Sequence, residues 1–148
     1  MEKQSISGKR KARKLALQAL YQWLMSGSEL HEIEAQFRVI NNMEKVDVDY
    51  FCRLLYGIPE HVKELEQHFA PFLDNRGVHN LNPIELTVLR ISTFELFHCP
   101  EIPYKVVLDE SVSLTKKFGS QDGYRYVNGV LNNLAKHARS IEISLDNE

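Results

Sequence analysis

The chain has 148 residues, of which 43% are hydrophobic and 26% are charged, a composition typical of one globular domain and unlike that of a disordered tail. Its two cysteines, Cys52 and Cys99, are too few for a disulfide scaffold or a cysteine-rich zinc module. No apolar stretch reaches the ~18 residues of a membrane-spanning helix, and residues 1–8 lack the apolar segment of a secretory signal. We therefore expect a cytoplasmic protein with no membrane partner.

The net charge of −2 is unevenly distributed along the chain. Residues 1–14 contain six basic side chains and one acidic side chain, a net charge of +5, whereas residues 15–148 contain 12 basic and 19 acidic side chains, a net charge of −7. This asymmetry predicts an anionic partner for the N-terminal segment and a basic partner for the rest. The alternative is a solvated helix start without a binding role.

Apolar residues recur at helical spacing along most of the chain. The first helix is predicted over residues 9–25, where steps of three and one residues place the apolar side chains on one face, and Ser26-Gly27-Ser28 ends it. A shorter helix follows around Ile33 and Phe37. A third apolar run, from residue 48 to residue 72, passes through Pro59 and predicts either a kinked helix or two helices in line, the second starting near Pro59.

Residues 73–81 are predicted as a loop that divides two sub-bundles. The sequence Asn82-Pro83-Ile84-Glu85 then has the pattern of a helix start, with Asn82 as the cap. The helix over residues 83–97 is apolar around most of its circumference, so we expect it at the centre of a bundle. Two more helices are predicted, over residues 103–118 and from the tight connection at 119–123 to about residue 139, before a loose tail.

These elements predict an all-α fold of six to seven helices in two packed helical sub-bundles. The chain is expected to form one domain over residues 1–148, with flexible ends at residues 1–8 and 141–148.

The first predicted helix carries cations and an aromatic residue at helical spacing. One stripe contains Arg10, Lys14, Leu17 and Tyr21, and Lys9 and Arg13 lie between it and the apolar face. Ammonium and guanidinium groups bind phosphates, and an exposed tyrosine can stack an unpaired base, so the stripe favours single-stranded RNA as a ligand. The alternative is that Tyr21 covers a helix crossing and that the cations are only solvated.

A second candidate region is FGSQDGYRYVNG, residues 118–129. Tyr124 and Tyr126 flank Arg125, and a loop followed by a helix start offers backbone N–H groups to an anion. Asp122 and Arg125 are expected to point outward. A glycine inside a helix, such as Gly129, lowers helix stability by about 1 kcal/mol relative to alanine. We expect that glycine is present here because a neighbouring helix approaches closely.

Catalytic and metal-binding patterns are weak. The chain contains neither G-x-G-x-x-G nor a Walker-type phosphate loop. The neighbours His98 and Cys99 cannot turn to one site on a helix, and His61 and His68 share a face without a third ligand at matched spacing. We therefore predict that the protein is not an enzyme and that it holds neither a cofactor nor a metal.

Several segments together resemble a known family. IPYKVVLDESVSLTKKFG (residues 102–119) and YRYVNGVLNNL (residues 124–134) closely resemble the C-terminal signature of the bacterial transcription antitermination factor family NusB. The resemblance continues backwards through IELTVLRISTFEL (residues 84–96) to KRKARKLALQALYQW (residues 9–23), and so covers nearly the whole chain in order.

The resemblance implies a fold of two helical sub-bundles and a role without catalysis. Members of the family pair with NusE, a small-subunit ribosomal protein, and the heterodimer binds the single-stranded boxA element of nascent ribosomal RNA leader transcripts. The RNA-bound pair joins an antitermination complex with RNA polymerase and other Nus factors. Some members self-associate, so a homodimer remains an alternative assembly.

The resemblance also implies roles for individual residues. The arginine-rich start of the family falls on Lys9, Arg10, Lys11 and Arg13, its RNA-associated tyrosine on Tyr21, and its boxA-linked positions on Asp122 and Tyr126. Lys14, Lys105 and Arg125 are further basic candidates for RNA binding, and Glu85 matches an acidic position on the helix that faces NusE. Two residues depart from the pattern: Tyr126 replaces the usual phenylalanine, and Asp109 stands where asparagine is common.

Three other functions fit a helical RNA-binding or protein-binding module. A similar helical domain begins some ribosomal RNA cytosine methyltransferases, although this chain contains no cofactor-binding glycine loop. A non-catalytic module for ribosomal RNA binding and assembly, or a protein-interaction bundle without an RNA role, is the remaining alternative. Charge reversal at Arg10, Arg13 and Lys14 would separate the last from an RNA-binding protein.

Overall fold

The structure, a computed structural model, describes residues 2–74, 77–120 and 122–147. Five residues lie outside the described residues, and each of them falls in a predicted loop, connection or flexible end: Met1, Asn75, Arg76, Gln121 and Glu148. Every regular element of the described part is helical, which confirms the all-α prediction, but it contains eight α-helices rather than six to seven. The chain divides into two compact units, an N-terminal unit, Met1–His61, and a C-terminal unit, Val62–Glu148.

The N-terminal unit contains three α-helices: α1 (Glu2–Ser26), α2 (Leu30–Ile40) and α3 (Val48–Glu60). α1 packs mainly against α3 and also against α2. The predicted apolar face of α1 is buried, and Phe37 of α2 stacks on Phe51 of α3 with the ring centroids 6.3 Å apart. α1 ends where the sequence predicts, because Gly27 adopts a φ of +68° that side chains disfavour and donates its N–H to the Trp23 carbonyl.

Asp47 begins α3 and also fastens it to α1. Its Oδ1 accepts the backbone N–H of Tyr50 at 3.0 Å, as an N-cap does. Its Oδ2 lies 3.2 Å from Lys9 Nζ, and its own N–H donates to the Gly8 carbonyl. A Cβ at position 8 would lie 3.3 Å from the Asp47 nitrogen, so glycine allows this close approach.

The C-terminal unit contains α4 (Val62–Phe69), α5 (Pro83–His98), α6 (Tyr104–Phe118), α7 (Gly123–Ala138) and α8 (Ser140–Asp146). α5 packs against α4, α6 and α7, and its residues from Glu85 to Leu96 are all buried. The prediction of a central helix is therefore confirmed. Asn82 caps it, since Oδ1 accepts the Ile84 N–H at 2.8 Å.

The division of the chain differs from the prediction. The two units meet in sequence at His61 and Val62, not within residues 73–81. Of the two alternatives around Pro59, two separate helices are found, but the first continues past Pro59 to Glu60. The predicted loop at 73–81 contains a short 3-10 helix, Val78–Asn80, and another, Ala70–Phe72, directly precedes it.

Both chain ends are more helical than expected. α1 begins at Glu2, so residues 2–8 belong to its first turns. Residues 140–146 form α8, where the sequence predicts a loose tail from residue 141. Polar contacts hold α8 in place: Glu142 Oε2 accepts the Tyr104 N–H at 2.9 Å, and Asp146 forms an ion pair with Lys105 at 3.1 Å.

Arg139, between α7 and α8, forms hydrogen bonds both to the end of α5 and to Glu142 of α8. Its guanidinium donates to the carbonyls of Glu95, Leu96 and Cys99, at the C-terminal end of α5, and to the Ile102 carbonyl. Its Nη1 also lies 2.6 Å from Glu142 Oε1. Because the last carbonyls of a helix have no partner within it, Arg139 supplies donors that α5 itself lacks.

Candidate nucleic-acid interface

The predicted cations of α1 fall into an inner pair and an outer group. The inner pair is Lys9 and Arg13, which both lie against the buried ring of Tyr50, with Lys9 Nζ 5.4 Å and Arg13 Cζ 5.5 Å from its centroid. Arg13 is only 3% exposed, and Lys9 is held by Asp47. These two cations therefore anchor α1 on α3 within the N-terminal unit.

The outer group is Arg10, Lys11 and Lys14. Arg10 and Lys11 are exposed, and Lys14 is half-buried. Tyr21 is also half-buried, whereas Leu17, which the helical wheel places between Lys14 and Tyr21, is 1% exposed. The predicted stripe thus follows the border between the surface and the interior, with its cationic end on the surface.

The start of α7 holds three of the predicted residues of the C-terminal unit. Asp122 and Arg125 are exposed, as predicted, and Tyr126 is half-buried. Asp122 is at the N-cap position, but its side chain forms no cap hydrogen bond. Arg125 Nε donates to the Tyr124 hydroxyl at 3.2 Å, and this hydrogen bond, with the Coulombic effects of Tyr124 and Asp122, raises the pKa of Arg125.

Lys105, near the start of α6, is exposed but paired with Asp146 of α8. The hydrogen bond and the Coulombic attraction of Asp146 raise the pKa of Lys105. Both side chains are largely in water, where such a pair contributes little stability and breaks readily. A phosphate that approaches Lys105 would have to compete with this carboxylate.

Glu85, the residue predicted to match an acidic position on the helix that faces NusE, is buried in the C-terminal unit. It is 5% exposed in the first turn of α5, and its Oε1 lies 3.5 Å from the position that a Cβ on Gly123 would occupy. Its carboxylate thus lies beside the start of α7.

The expectation for Gly129 is wrong. It lies on the exposed side of α7, and nothing approaches within 4 Å of the position of an added Cβ. Two nearby glycines are crowded: a Cβ on Gly119 would lie 2.8 Å from the Thr115 carbonyl oxygen, and a Cβ on Gly123 would lie 2.9 Å from Ser120 Oγ. A helical pattern places a glycine on a helix, but it does not reveal which neighbour the glycine meets.

Polar residues also connect α2 with α3 on the surface of the N-terminal unit. The Tyr56 hydroxyl donates a short hydrogen bond to Glu34 Oε1 and lies 3.1 Å from His31 Nδ1. Glu34 also forms an ion pair with Arg38, whose Nε lies 2.7 Å from Glu34 Oε2. Burial and the bond to Glu34 raise the pKa of Tyr56 to about 12, whereas the hydrogen bonds from Tyr56 and Arg38 lower the pKa of Glu34. The pKa of Cys52 is raised mainly by burial, which is typical of an unreactive thiol.

The histidines considered as metal ligands have other contacts. His61 Nδ1 lies 2.7 Å from the Gly57 carbonyl, and the His68 ring stacks on Phe97 with the centroids 3.8 Å apart. His98 Nε2 lies 2.5 Å from Glu64 Oε1. Each ring therefore has a packing or hydrogen-bonding role within its own unit.

The model of the NusB family matches residues 10–136, which is most of the chain. The chain belongs to the NusB family.

Relatives agree with this assignment. Transcription antitermination protein NusB of Legionella pneumophila (strain Corby) is 79% identical over 148 residues, which is 100% of both chains. Transcription antitermination protein NusB of Pseudomonas savastanoi pv. phaseolicola (strain 1448A / Race 6) is 48% identical over 135 residues, which cover 91% of this chain and 81% of the relative.

Solved structures have the same fold. T. maritima NusB superposes with a TM-score of 0.77 at 26% identity, over 92% of this chain and 96% of that chain. A chain from a structure of the antitermination factors NusB and NusE in complex with dsRNA superposes with a TM-score of 0.73 at 23% identity, over 93% of this chain and 99% of that chain.

The span of the NusB family match includes all predicted site residues except Lys9, and it ends before Arg139 and α8. Sequence reasoning singled out Lys105 but missed its partner Asp146 on that last helix. It also left out Lys116, which lies over the ring of Tyr124 at 4.6 Å from the centroid. Of the helices that the structure describes, none is both long enough and apolar enough to span a membrane.

Proposed function

We propose that the protein is a transcription antitermination factor that binds the boxA element of ribosomal RNA leader transcripts together with the ribosomal protein NusE. The observation that carries the proposal is family membership along the whole chain, because a relative 79% identical over all 148 residues is a transcription antitermination protein NusB. A solved structure with the same fold contains NusB and NusE with dsRNA, which agrees with the proposed partners.

The outer cations of α1 are proposed as the phosphate contacts. Arg10 and Lys11 are exposed and Lys14 is half-buried, so their charges reach water and an approaching RNA strand. Lys9 and Arg13 act differently, since their contacts with Tyr50 and Asp47 hold α1 in position. Tyr21 keeps part of its ring accessible and is proposed to stack on an unpaired base.

The start of α7 in the C-terminal unit is proposed to contact the RNA through Asp122, Arg125 and Tyr126. Lys105 is proposed to bind the RNA as well, once its ion pair with Asp146 has broken. NusE is proposed to bind the acidic part of the chain, residues 15–148, whose net charge of −7 suits a basic ribosomal protein. Glu85 would then affect NusE binding indirectly, through the packing of α5 beside Gly123.

We further propose that the protein acts without catalysis and without a cofactor, in the cytoplasm. Its RNA- and NusE-bound form would join RNA polymerase and other Nus factors in an antitermination complex. A homodimer is the alternative assembly, and it would compete with the binding of NusE if the two used one surface.

Fluorescence anisotropy tests the proposal with labelled boxA RNA, at salt concentrations of about 50 and 200 mM. The protein is titrated alone and with equimolar NusE, and a scrambled RNA of equal length serves as the control. We expect weak binding by the protein alone, tighter binding with NusE, and weaker binding at the higher salt, because RNA binding by cations releases counterions.

The double variant Arg10→Glu, Lys11→Glu should weaken boxA binding strongly and flatten its salt dependence. The matched control is Lys63→Glu, which reverses the charge of another exposed lysine, on α4. If NusE leaves the boxA affinity unchanged and forms no complex with the protein, the proposal is wrong. Equal affinity for boxA and scrambled RNA would instead support a general role in ribosomal RNA binding or assembly.

A further inference from the structure

A second group of cations surrounds one aromatic ring where α6 ends and α7 begins. Lys116 Nζ lies 4.6 Å from the centroid of the Tyr124 ring, and Arg125 Cζ lies 5.7 Å from it. Arg125 is further held by the hydrogen bond from its Nε to the Tyr124 hydroxyl. Tyr124 therefore gathers a cation from each of two helices.

The charge of this group is not neutralised by ion pairs. Lys116, Lys117 and Arg125 are exposed, and within the part of the chain that the structure describes none of them forms a salt bridge. Lys117 Nζ lies near the ring of Phe118, 5.9 Å from its centroid. The only carboxylate among residues 116–125 is that of Asp122, which leaves a net charge of +2 in an otherwise acidic part of the chain.

Helix electrostatics explain only part of the group. Lys116 and Lys117 occupy the last turn of α6, where cations interact favourably with the helix dipole. Arg125 occupies the first turn of α7, where the positive end of the dipole disfavours a cation. Tyr124 thus holds a guanidinium where the helix repels it, close to a second cation, and a bound anion would relieve both repulsions.

We propose that Lys116 and Arg125, positioned by Tyr124, form a second phosphate-binding site for the backbone of the RNA. This site rests on the proposed function, and it adds Lys116 and Tyr124 to the residues that serve it. The ligand group is a phosphodiester rather than a base, because the Tyr124 ring already interacts with two cations. Tyr124 is a positioning residue and does not itself contact the RNA.

The test compares Lys116→Ala and Arg125→Ala with the wild-type protein in the anisotropy titration with boxA RNA and NusE, over several salt concentrations. The matched control is Lys136→Ala, which also removes an exposed lysine from the last turn of a helix. Loss of one phosphate contact should weaken binding several-fold and reduce the slope of log Kd against log salt by about 0.7. Lys136→Ala should change neither quantity.

Two variants of Tyr124 test its positioning role. Tyr124→Leu removes the ring that gathers both cations, so it should reduce the salt slope although no charge has been lost. Tyr124→Phe keeps the ring and loses only the hydroxyl contact with Arg125, so most of the affinity should be retained. Circular dichroism melts of all variants verify that they fold.

The outcomes separate this site from the function on which it rests. If boxA binding falls in the Arg10, Lys11 variant but is unchanged in Lys116→Ala and Arg125→Ala, the second site is wrong and the proposed function stands. If the wild-type protein binds no RNA even with NusE, both fail. If Lys116→Ala weakens the capture of NusE but leaves the RNA salt slope unchanged, the cations serve a protein partner and the RNA site is wrong.

The source of the phosphate is tested by NMR titration, with inorganic phosphate in one arm and boxA RNA in the other. Shifts of the Lys116 and Tyr124 signals at lower concentrations of RNA than of inorganic phosphate support the RNA site. Shifts with inorganic phosphate alone overturn it.

Discussion

A single exposed glycine lowers the stability of α7. Gly129 lies in the helix interior with open space around the position of a Cβ, so alanine there meets no obstacle. Glycine loses more backbone entropy on folding than alanine, and Gly129→Ala should therefore raise the free energy of unfolding by about 0.5–1 kcal/mol. Urea denaturation followed by circular dichroism measures the change.

The same substitution at Gly119 is the control for this prediction. A Cβ at Gly119 would lie 2.8 Å from the Thr115 carbonyl oxygen, which belongs to the backbone and cannot rotate away. Gly119→Ala should therefore lower the free energy of unfolding. A loss of stability in Gly129→Ala would show that position 129 is crowded after all.

Tyr56 should make stability depend on pH in the alkaline range. Its pKa is raised from 10.0 to about 12 in the folded protein, so the folded state holds this proton more tightly than the unfolded state. The corresponding stability is present below pH 10 and is lost as the pH rises towards 12. Denaturation of Tyr56→Phe and wild type at pH 8, 10 and 11 measures it, and the difference in stability should shrink as the pH rises. A constant difference would contradict the raised pKa.

At the scale of elements, α8 is a cap for two other helices. Pro103 precedes α6 and offers no side-chain cap, so the carboxylate of Glu142 receives the Tyr104 N–H instead. Arg139 donates hydrogen bonds to carbonyl groups at the end of α5 and also to the carboxylate of Glu142. α8 therefore contributes to the unit through polar contacts, while its apolar residues Ile141 and Leu145 remain exposed.

Removal of the Glu142 carboxylate should destabilise the protein. Glu142→Ala deprives α6 of its cap and leaves Arg139 with one partner fewer, and we expect a loss of about 1–2 kcal/mol in the free energy of unfolding. Ser144→Ala, at an exposed position of the same helix, is the control and should be neutral. Unfolding curves of the two variants that coincide would show that the cap contributes nothing.

At the scale of the whole molecule, hydrophobic periodicity predicted the helices that bury apolar faces. This periodicity predicted α1 and α5, and the pattern Asn82-Pro83-Ile84-Glu85 predicted the Asn82 cap. α8 could not be found in this way, because no apolar face of it is buried. The boundary between the units was misplaced because the turn-forming residues at 73–81 predict a break there, whereas the units divide at the single residue His61 between α3 and α4.

The candidate site was predictable in composition but not in environment. The cations of α1 follow from the sequence, whereas the burial of Arg13 against Tyr50 depends on how α3 packs. The ion pairs of Lys9 with Asp47 and of Lys105 with Asp146 join residues far apart in the chain, so only the fold reveals them. Lys116 was missed for the same reason, since its partner ring lies on the next helix.

The capping of α6 by α8 also has a consequence for synthesis on the ribosome. Tyr104 leaves the ribosome 38 residues before Glu142, and the end of α5 precedes Arg139 by a similar length. A nascent chain that has already made α5 and α6 therefore lacks the side chains that satisfy their ends. The C-terminal unit reaches its full set of hydrogen bonds only after Arg139 and Glu142 have been synthesised, whereas the N-terminal unit can complete its fold earlier.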